Sequence, residues 1–151
     1  MTSICIREAK KEDVERILEL IHALAIFEKE EDAVKVTKEE LERDGFGPDP
    51  AYKCIVAEED GVVIGFALYY IRYSTWNGKT VYLEDFLVDE KYRSKGIGKI
   101  LFDEMIAIAQ RLKVRQMCWQ VLDWNEGAIR FYKKYNAEMN AGWLNARVFI
   151  E

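Results

Sequence analysis

The segment YLEDFLVDEKYRSKGIGKILFDEMIAIAQ, Tyr82 to Gln110, constrains the fold more than any other part of the chain. It opens as a strand-like run over Thr80 to Val88, breaks at two glycines one residue apart, and closes on apolar residues at helical spacing. Gly96 and Gly98 give a tight turn with freely approachable backbone, and Arg93, Lys95 and Lys99 surround it with positive charge. From Ile100, the residues Ile100, Leu101, Ile106, Ile108 and Leu112 line a helix that runs away from the turn. The first N–H groups of a helix lack internal partners, and the helix dipole adds partial positive charge there. Such a junction suits an anion, most naturally a phosphate. A further strand over Arg115 to Leu122 completes a strand–turn–helix–strand unit, the crossover that two parallel strands require.

The remaining pattern is antiparallel. ICIRE reads as a short strand and Glu12 to Glu30 as a helix, with Val14, Ile17, Leu18, Ile21, Leu24 and Ala25 on one stripe. Thr37 caps a second short helix with Glu40 as its capping-box partner, and DGFGPDP is a loop. Tyr52 to Glu58 and Val62 to Tyr73 form a hairpin across EEDG. Asn125 opens a helix to about Tyr135, and Trp143 to Ile150 closes the chain as a strand. The expectation is α/β: a mixed, mostly antiparallel sheet flanked by helices, with ligands near the C-terminal ends of the parallel strands.

At 151 residues, half of them hydrophobic, the chain is expected to form one domain, 1–151, with a sizeable core. Cys5, Cys54 and Cys118 are odd in number and lack CxxC spacing, which speaks against a disulfide framework or a zinc site and for a reducing compartment. MTSICIREAKKED has no signal-like apolar run and no segment is long enough to span a bilayer, so a cytoplasmic protein is expected. The net charge of −5 and a pI near 5.1 argue against nucleic acid and mildly favour cationic ligands.

The glycine turn is neither a P-loop, since GxxxxGK[ST] is absent, nor the dinucleotide fingerprint, whose third glycine position is Leu101 here. In YLEDFLV, Glu84 and Asp85 are adjacent, and a regular strand would point them to opposite faces. One of them pairs with a lysine or meets solvent, or else lines a cleft that receives a cation or a proton. Glu28 falls back on the apolar stripe beside Phe27, near a helix C-terminus where an acid is slightly unfavourable. In WNEGAIRFYKKY, Asn125 is a sound N-cap, and Ala128, Phe131, Tyr132 and Tyr135 share a face, as core aromatics would. His22 has no Ser or Cys partner in view, so no nucleophilic triad is expected.

Together these pieces resemble the GNAT superfamily of acetyl-CoA-dependent N-acetyltransferases. RSKGIG, Arg93 to Gly98, fits that family's pyrophosphate pattern of Arg/Gln-x-x-Gly-x-Gly/Ala. The likeness is closer to the spermidine/spermine and thialysine subgroup. It runs through IREAKKED, LIHALAIFEKEED, DGFGPDPAYKCIVAE, YYIRYSTWNGKTVYLEDFLV, YRSKGIG, VLDWNEGAIRFYKKYNA and GW.

The resemblance implies a GNAT fold whose parallel strand pair splays at the acetyl-CoA site, and a homodimer without a metal. Phe86, Leu87 and Val88 would offer strand backbone to the pantetheine arm. Ser94, Lys95, Gly96, Ile97, Gly98 and Lys99 would wrap the pyrophosphate, with Arg93 opening the turn. Asn125 and Ala128 would flank the thioester. Tyr132 matches the tyrosine that protonates the leaving thiolate, and Glu84 the acid that draws a proton from the amine through water. Phe27, Glu28, Asp85 and Trp76 match positions near the acceptor. The free amine would attack the acetyl carbonyl directly, with strand N–H donors steadying the oxyanion. Ser74 and Thr75 replace the Asp-Pro of polyamine acetyltransferases, and Ala141 stands where relatives carry an acid. Two fewer acids favour a shorter amine, such as thialysine or lysine, over spermine, with polyamine acetylation as the alternative. A non-catalytic acyl-CoA-binding module is the reading from another class.

Overall fold

The computed structural model describes residues 3–93 and 95–150. β1 (Ile4–Glu8) leads through a short 3-10 turn, Lys11–Asp13, into α1 (Val14–Phe27). Arg7 secures that passage, its guanidinium 2.8 Å from Asp13 and 3.0 Å from Glu58. α1 buries Val14, Ile17, Leu20 and Ala25, close to the anticipated stripe. It is shorter at both ends than Glu12 to Glu30, because the first residues tighten into the 3-10 turn and Lys29, at φ 63°, leaves helical space.

α2 (Lys38–Phe46) begins as its capping box dictates, with the Glu40 N–H donating to Thr37 Oγ1 at 3.1 Å. Asp44, Gly45 and Phe46, expected in a loop, instead form its last turn. A methyl group at Gly45 would overlap the Tyr52 ring, so glycine here serves helix packing and not a turn.

The sheet follows the order β1-β2-β3-β4-β5, with β2 (Lys53–Glu59), β3 (Val62–Ser74), β4 (Gly78–Val88) and β5 (Met117–Cys118). The β2–β3 hairpin closes on Asp60 at φ 50° and Gly61 at φ 83°, left-handed values that match strand twist. Among the described residues only the β4–β5 pair is parallel, and it joins at just Val81 with Met117 and Tyr82 with Cys118. β5 is therefore far shorter than Arg115 to Leu122. Trp119, one residue on, turns edge-on against Phe102, while β4 continues to Val88 beyond its last β5 partner. The parallel ladder is two residue pairs long.

α1 covers one face of the sheet, where Ile17 and Leu20 pack on Cys54, Val56, Phe66, Leu68 and Leu87. α3 (Ile97–Arg111) covers the other, with Ile97 against Ala57 and Ile64 and Phe102 edge-on to Phe86. α3 begins at Ile97, not Ile100. Gly96 takes the left-handed N-cap position at φ 78°, and Gly98 lies within the first helical turn.

Residues up to Gln120 form one compact unit, and those from Val121 onward a second. In the second, α4 (Glu126–Lys133) is capped as expected, the Ala128 N–H donating to Asn125 Oδ1 at 3.2 Å. The anticipated closing strand, Trp143 to Ile150, is not formed, and no regular element appears between Ala137 and Ile150. A strand exists only through a ladder partner, and α4 is the sole regular element described in this unit.

Candidate active site

A β-bulge decides where the two adjacent acids point. The β3–β4 ladder pairs Leu68 with Asp85, Tyr69 with Leu83 and Tyr70 with Tyr82, which leaves Glu84 as the extra residue. Cross-strand partners share a face, as do residues two apart on one strand. Leu68 and Tyr70 are such a pair, so Tyr82 and Asp85 lie together on the α1 face. Glu84 reaches the same side, because Tyr70 Oη donates to Glu84 Oε1 at 2.9 Å. The expectation of opposite faces is thus corrected: the bulge absorbs the alternation.

Asp85 is driven upward to a pKa of about 6, first by burial and then by the charges of Glu84 and Glu28. Glu28 is itself raised, by burial and by Glu30, and it forms the C-cap of α1. Three carboxylates from two elements therefore influence one half-buried spot. Around them Tyr70 and Tyr82 are tilted against each other at 5.4 Å, and the Arg72 guanidinium lies 4.9 Å over Tyr82. Burial and the neighbouring Glu84 push Tyr70 up to about 12, so its hydroxyl remains a donor. This arrangement can attract an ammonium ion and accept its proton.

The glycine turn has a different character. Its first intrahelical bond runs from Ile100 N to Gly96 O at 3.2 Å, so the N–H groups of Ile97, Gly98 and Lys99 precede the helical ladder. A Cβ at Gly96 would meet nothing within 4 Å, leaving open space over the backbone. Arg93 donates from Nε to Val88 O at 3.2 Å and lies 5.6 Å over the Phe27 ring, joining the turn to the end of α1. Lys95 rests on Tyr92 at 5.4 Å, and Lys99 pairs with Asp103 at 2.7 Å. Asp89 accepts from Lys91 N at 3.1 Å and pairs with Arg16 at 2.6 Å, bracing the approach. These residues fit a diphosphate: unspent helix N–H groups, a glycine without obstruction and surrounding cations.

Phe27, Glu28, Glu84, Asp85 and the turn from Arg93 thus fall in one unit, with Phe86, Leu87 and Val88 between acids and turn on β4. Ser94 lies outside the described residues. Trp76 is not brought to the acids; it stands 86% exposed at the β3–β4 hairpin tip. Asn125, Ala128 and Tyr132 belong to the second unit, where Phe131 sits edge-on to Tyr132 at 5.5 Å. Sequence reasoning missed Tyr70, Tyr82 and Arg72. The signal was present, since Tyr70 and Arg72 alternate along β3 and Tyr82 and Glu84 along β4. A cavity of about 660 Å³ is lined by Ile6, Tyr69, Tyr70, Ile108, Arg111 and Leu112 among others; Tyr70 borders it, and none of the site residues expected from the sequence does. Among the described residues no group of three His, Cys, Asp or Glu could hold a metal ion.

Comparison with known proteins bears on this geometry. The pattern of the acetyltransferase (GNAT) family matches residues 14–137. A thialysine N-epsilon-acetyltransferase of Bos taurus is 42% identical over 146 residues, covering 91% of this chain and 86% of its own length. Spermidine/spermine N(1)-acetyltransferase-like protein 1 of Homo sapiens is 36% identical over 148 residues, 91% of this chain but 21% of that protein. The solved structure of the aminoglycoside N-acetyltransferase AAC(6')-Iy in complex with CoA shares the fold, with a TM-score of 0.78 at 21% identity, covering 98% of this chain and 96% of that one.

Proposed function

Because the chain belongs to the GNAT acetyltransferase family and is an acetyl-CoA-dependent N-acetyltransferase, we propose that its acceptor is a small lysine-like primary amine such as thialysine. The observation that carries this reading is the bulge that sets Glu84, held by Tyr70, and the part-buried Asp85 on the α1 face, where the charge of Glu28 is also felt. An amine with a pKa near 10.4 is protonated at neutral pH, and freeing its lone pair costs about 4–5 kcal/mol. The acids draw the cation in, and the proton then leaves to the Glu84–Asp85 pair, directly or through water. Asp85, with a pKa of about 6, lies close to the working pH, where a base is most effective. Glu84, held by the Tyr70 hydroxyl, keeps the amine oriented.

Acetyl-CoA supplies the activated acetyl group when bound. Arg93, Ser94, Lys95, Gly96, Ile97, Gly98 and Lys99 would hold its diphosphate. The backbone of Phe86, Leu87 and Val88 would hold its pantetheine arm, a reading supported by their place on β4 beyond the Val81–Met117 and Tyr82–Cys118 pairs. Asn125 and Ala128 would border the thioester, and Tyr132 would return a proton to the departing thiolate. The family match runs across Gln120, which supports reading 1–151 as one domain. Cys5, Cys54 and Cys118 are unpaired, which suits a reducing, cytoplasmic setting. A homodimer follows the family resemblance, and the net charge of −5 disfavours nucleic acid as a partner.

A polyamine acceptor is the second reading, supported by the spermidine/spermine-like relative and by acids that would suit any ammonium. Release of free CoA with thialysine, lysine and spermidine as acceptors tests both. Faster release with the two amino acids is expected. Preference for spermidine transfers the assignment to polyamines, and no amine-dependent release despite tight acetyl-CoA binding would leave only a binding module.

A further inference from the structure

Resting on that reading, we infer that Arg72 is the residue that reads an α-carboxylate on the acceptor, so that the substrate is an α,ω-diamino acid held at both ends. Along the α1 face of β3, the residues Leu68, Tyr70 and Arg72 stand opposite Asp85, Tyr82 and Thr80 in turn. The acids thus occupy one end of a row, two tyrosine rings its middle, and a guanidinium its far end. Arg72 is exposed and has no carboxylate partner, either as an ion pair or as a hydrogen bond, among the described residues. Its charge is nonetheless felt by both Tyr70 and Tyr82, which places it over the row and not away from it. Its place over the Tyr82 ring, 4.9 Å from the centroid, holds the guanidinium at the row, and its N–H groups can grip a carboxylate in two places.

The dimensions agree. Four residues of strand separate the levels of Arg72 and Asp85, about 13 Å. The guanidinium leans back over Tyr82, and the Glu84 carboxylate reaches Tyr70, so the gap between opposite charges is shorter than that. A lysine-like chain measures roughly 7–8 Å from side-chain nitrogen to carboxylate carbon when extended. Its methylenes, or a thioether in their place, would lie on the paired rings of Tyr70 and Tyr82, as apolar chain segments prefer. A polyamine offers this row a cation at both ends, and its second one would meet Arg72 with like charge. The same residue that welcomes a diamino acid therefore repels a polyamine.

Arg72→Ala, Arg72→Lys and the unaltered protein are to be compared with lysine and with 1,5-diaminopentane, which is lysine without its carboxylate. At saturating acetyl-CoA, Arg72→Ala is expected to lower kcat/KM for lysine about tenfold, mostly through KM, and to leave the diamine unchanged or improved. Arg72→Lys should recover part of the lysine activity. Calorimetry of lysine binding to the CoA-bound protein should show the same weakening. Arg72 is exposed, so equal melting temperatures should accompany these changes. Equal slowing of lysine and diamine by Arg72→Ala would overturn the carboxylate subsite while leaving acetyl transfer to amines intact. If the unaltered protein acetylates neither, the functional reading fails and the subsite with it.

Discussion

Replacing Asp85 by Asn should stabilise the protein while disabling it, and the gain should depend on pH. An aspartate ordinarily titrates near 3.8; in the fold, burial and the charges of Glu84 and Glu28 raise Asp85 to about 6. Ionisation is disfavoured in the native chain, so this group favours folding fully below about pH 3.8, and that contribution is lost as pH climbs through about 6. Above that point the charge costs the native state about 3 kcal/mol. Asn has the same shape and no charge to bury. Asp85→Asn is therefore expected to unfold with a ΔG larger by about 3 kcal/mol at pH 8 and by roughly half that at pH 5. Urea titrations of both proteins at the two pH values measure this directly, with equal m-values as the check that the denatured state is unaltered. A pH-independent difference, or a destabilised variant at pH 8, would refute the claim that Asp85 is held against its own ionisation. Acetyl transfer by the variant should fall at the same time, which is the usual exchange of stability for activity at a strained site.

Other perturbations address the frame around the acids. Gly65→Ala would set a methyl group 2.8 Å from the backbone oxygen of Leu87, and should cost about 2–3 kcal/mol in urea unfolding; an unchanged midpoint would mean that β3 and β4 separate freely there. Gly96→Ala meets open space, so its penalty is the left-handed backbone alone, about 1–2 kcal/mol, together with weaker acetyl-CoA binding by calorimetry. Full retention of affinity would remove Gly96 from the diphosphate cradle. Tyr70→Phe and Glu84→Gln share one hydrogen bond, so a double-mutant cycle in kcat/KM should show coupling of about 1 kcal/mol, and strict additivity would deny that Tyr70 positions Glu84.

What the sequence could disclose depended on the range of the interactions involved. The Thr37 cap and the Asn125 cap close within three residues, so their residue types announced them. The stripe of α1 and the β2–β3 hairpin were legible for the same reason, since period and turn chemistry are local. The bulge at Glu84 was not, because an extra residue is defined only against a partner strand, and neither Leu68 nor Tyr70 marks it in isolation. β5 looked longer than it is because apolar content cannot say where a ladder ends; Trp119 leaves the sheet for Phe102. Gly45 reads in sequence as a loop signal, whereas in the fold it admits the Tyr52 ring against α2. At the site, Glu28, Glu84 and Asp85 stood out as acids in apolar company. The tyrosines and Arg72 read as ordinary strand residues, because only the β3–β4 ladder puts them on a common face.

The extra residue in β4 also ties the acid trap to the bulge. Substitutions near Glu84 alter chemistry one group at a time, whereas pairing β4 with β3 at unchanged length and without the bulge would restore strict alternation. Asp85, three residues from Tyr82, would then face α3 beside Phe102 in place of Phe86, its identity intact and its access to a substrate gone. The bulge is thus as much a part of the acceptor pocket as any side chain in it.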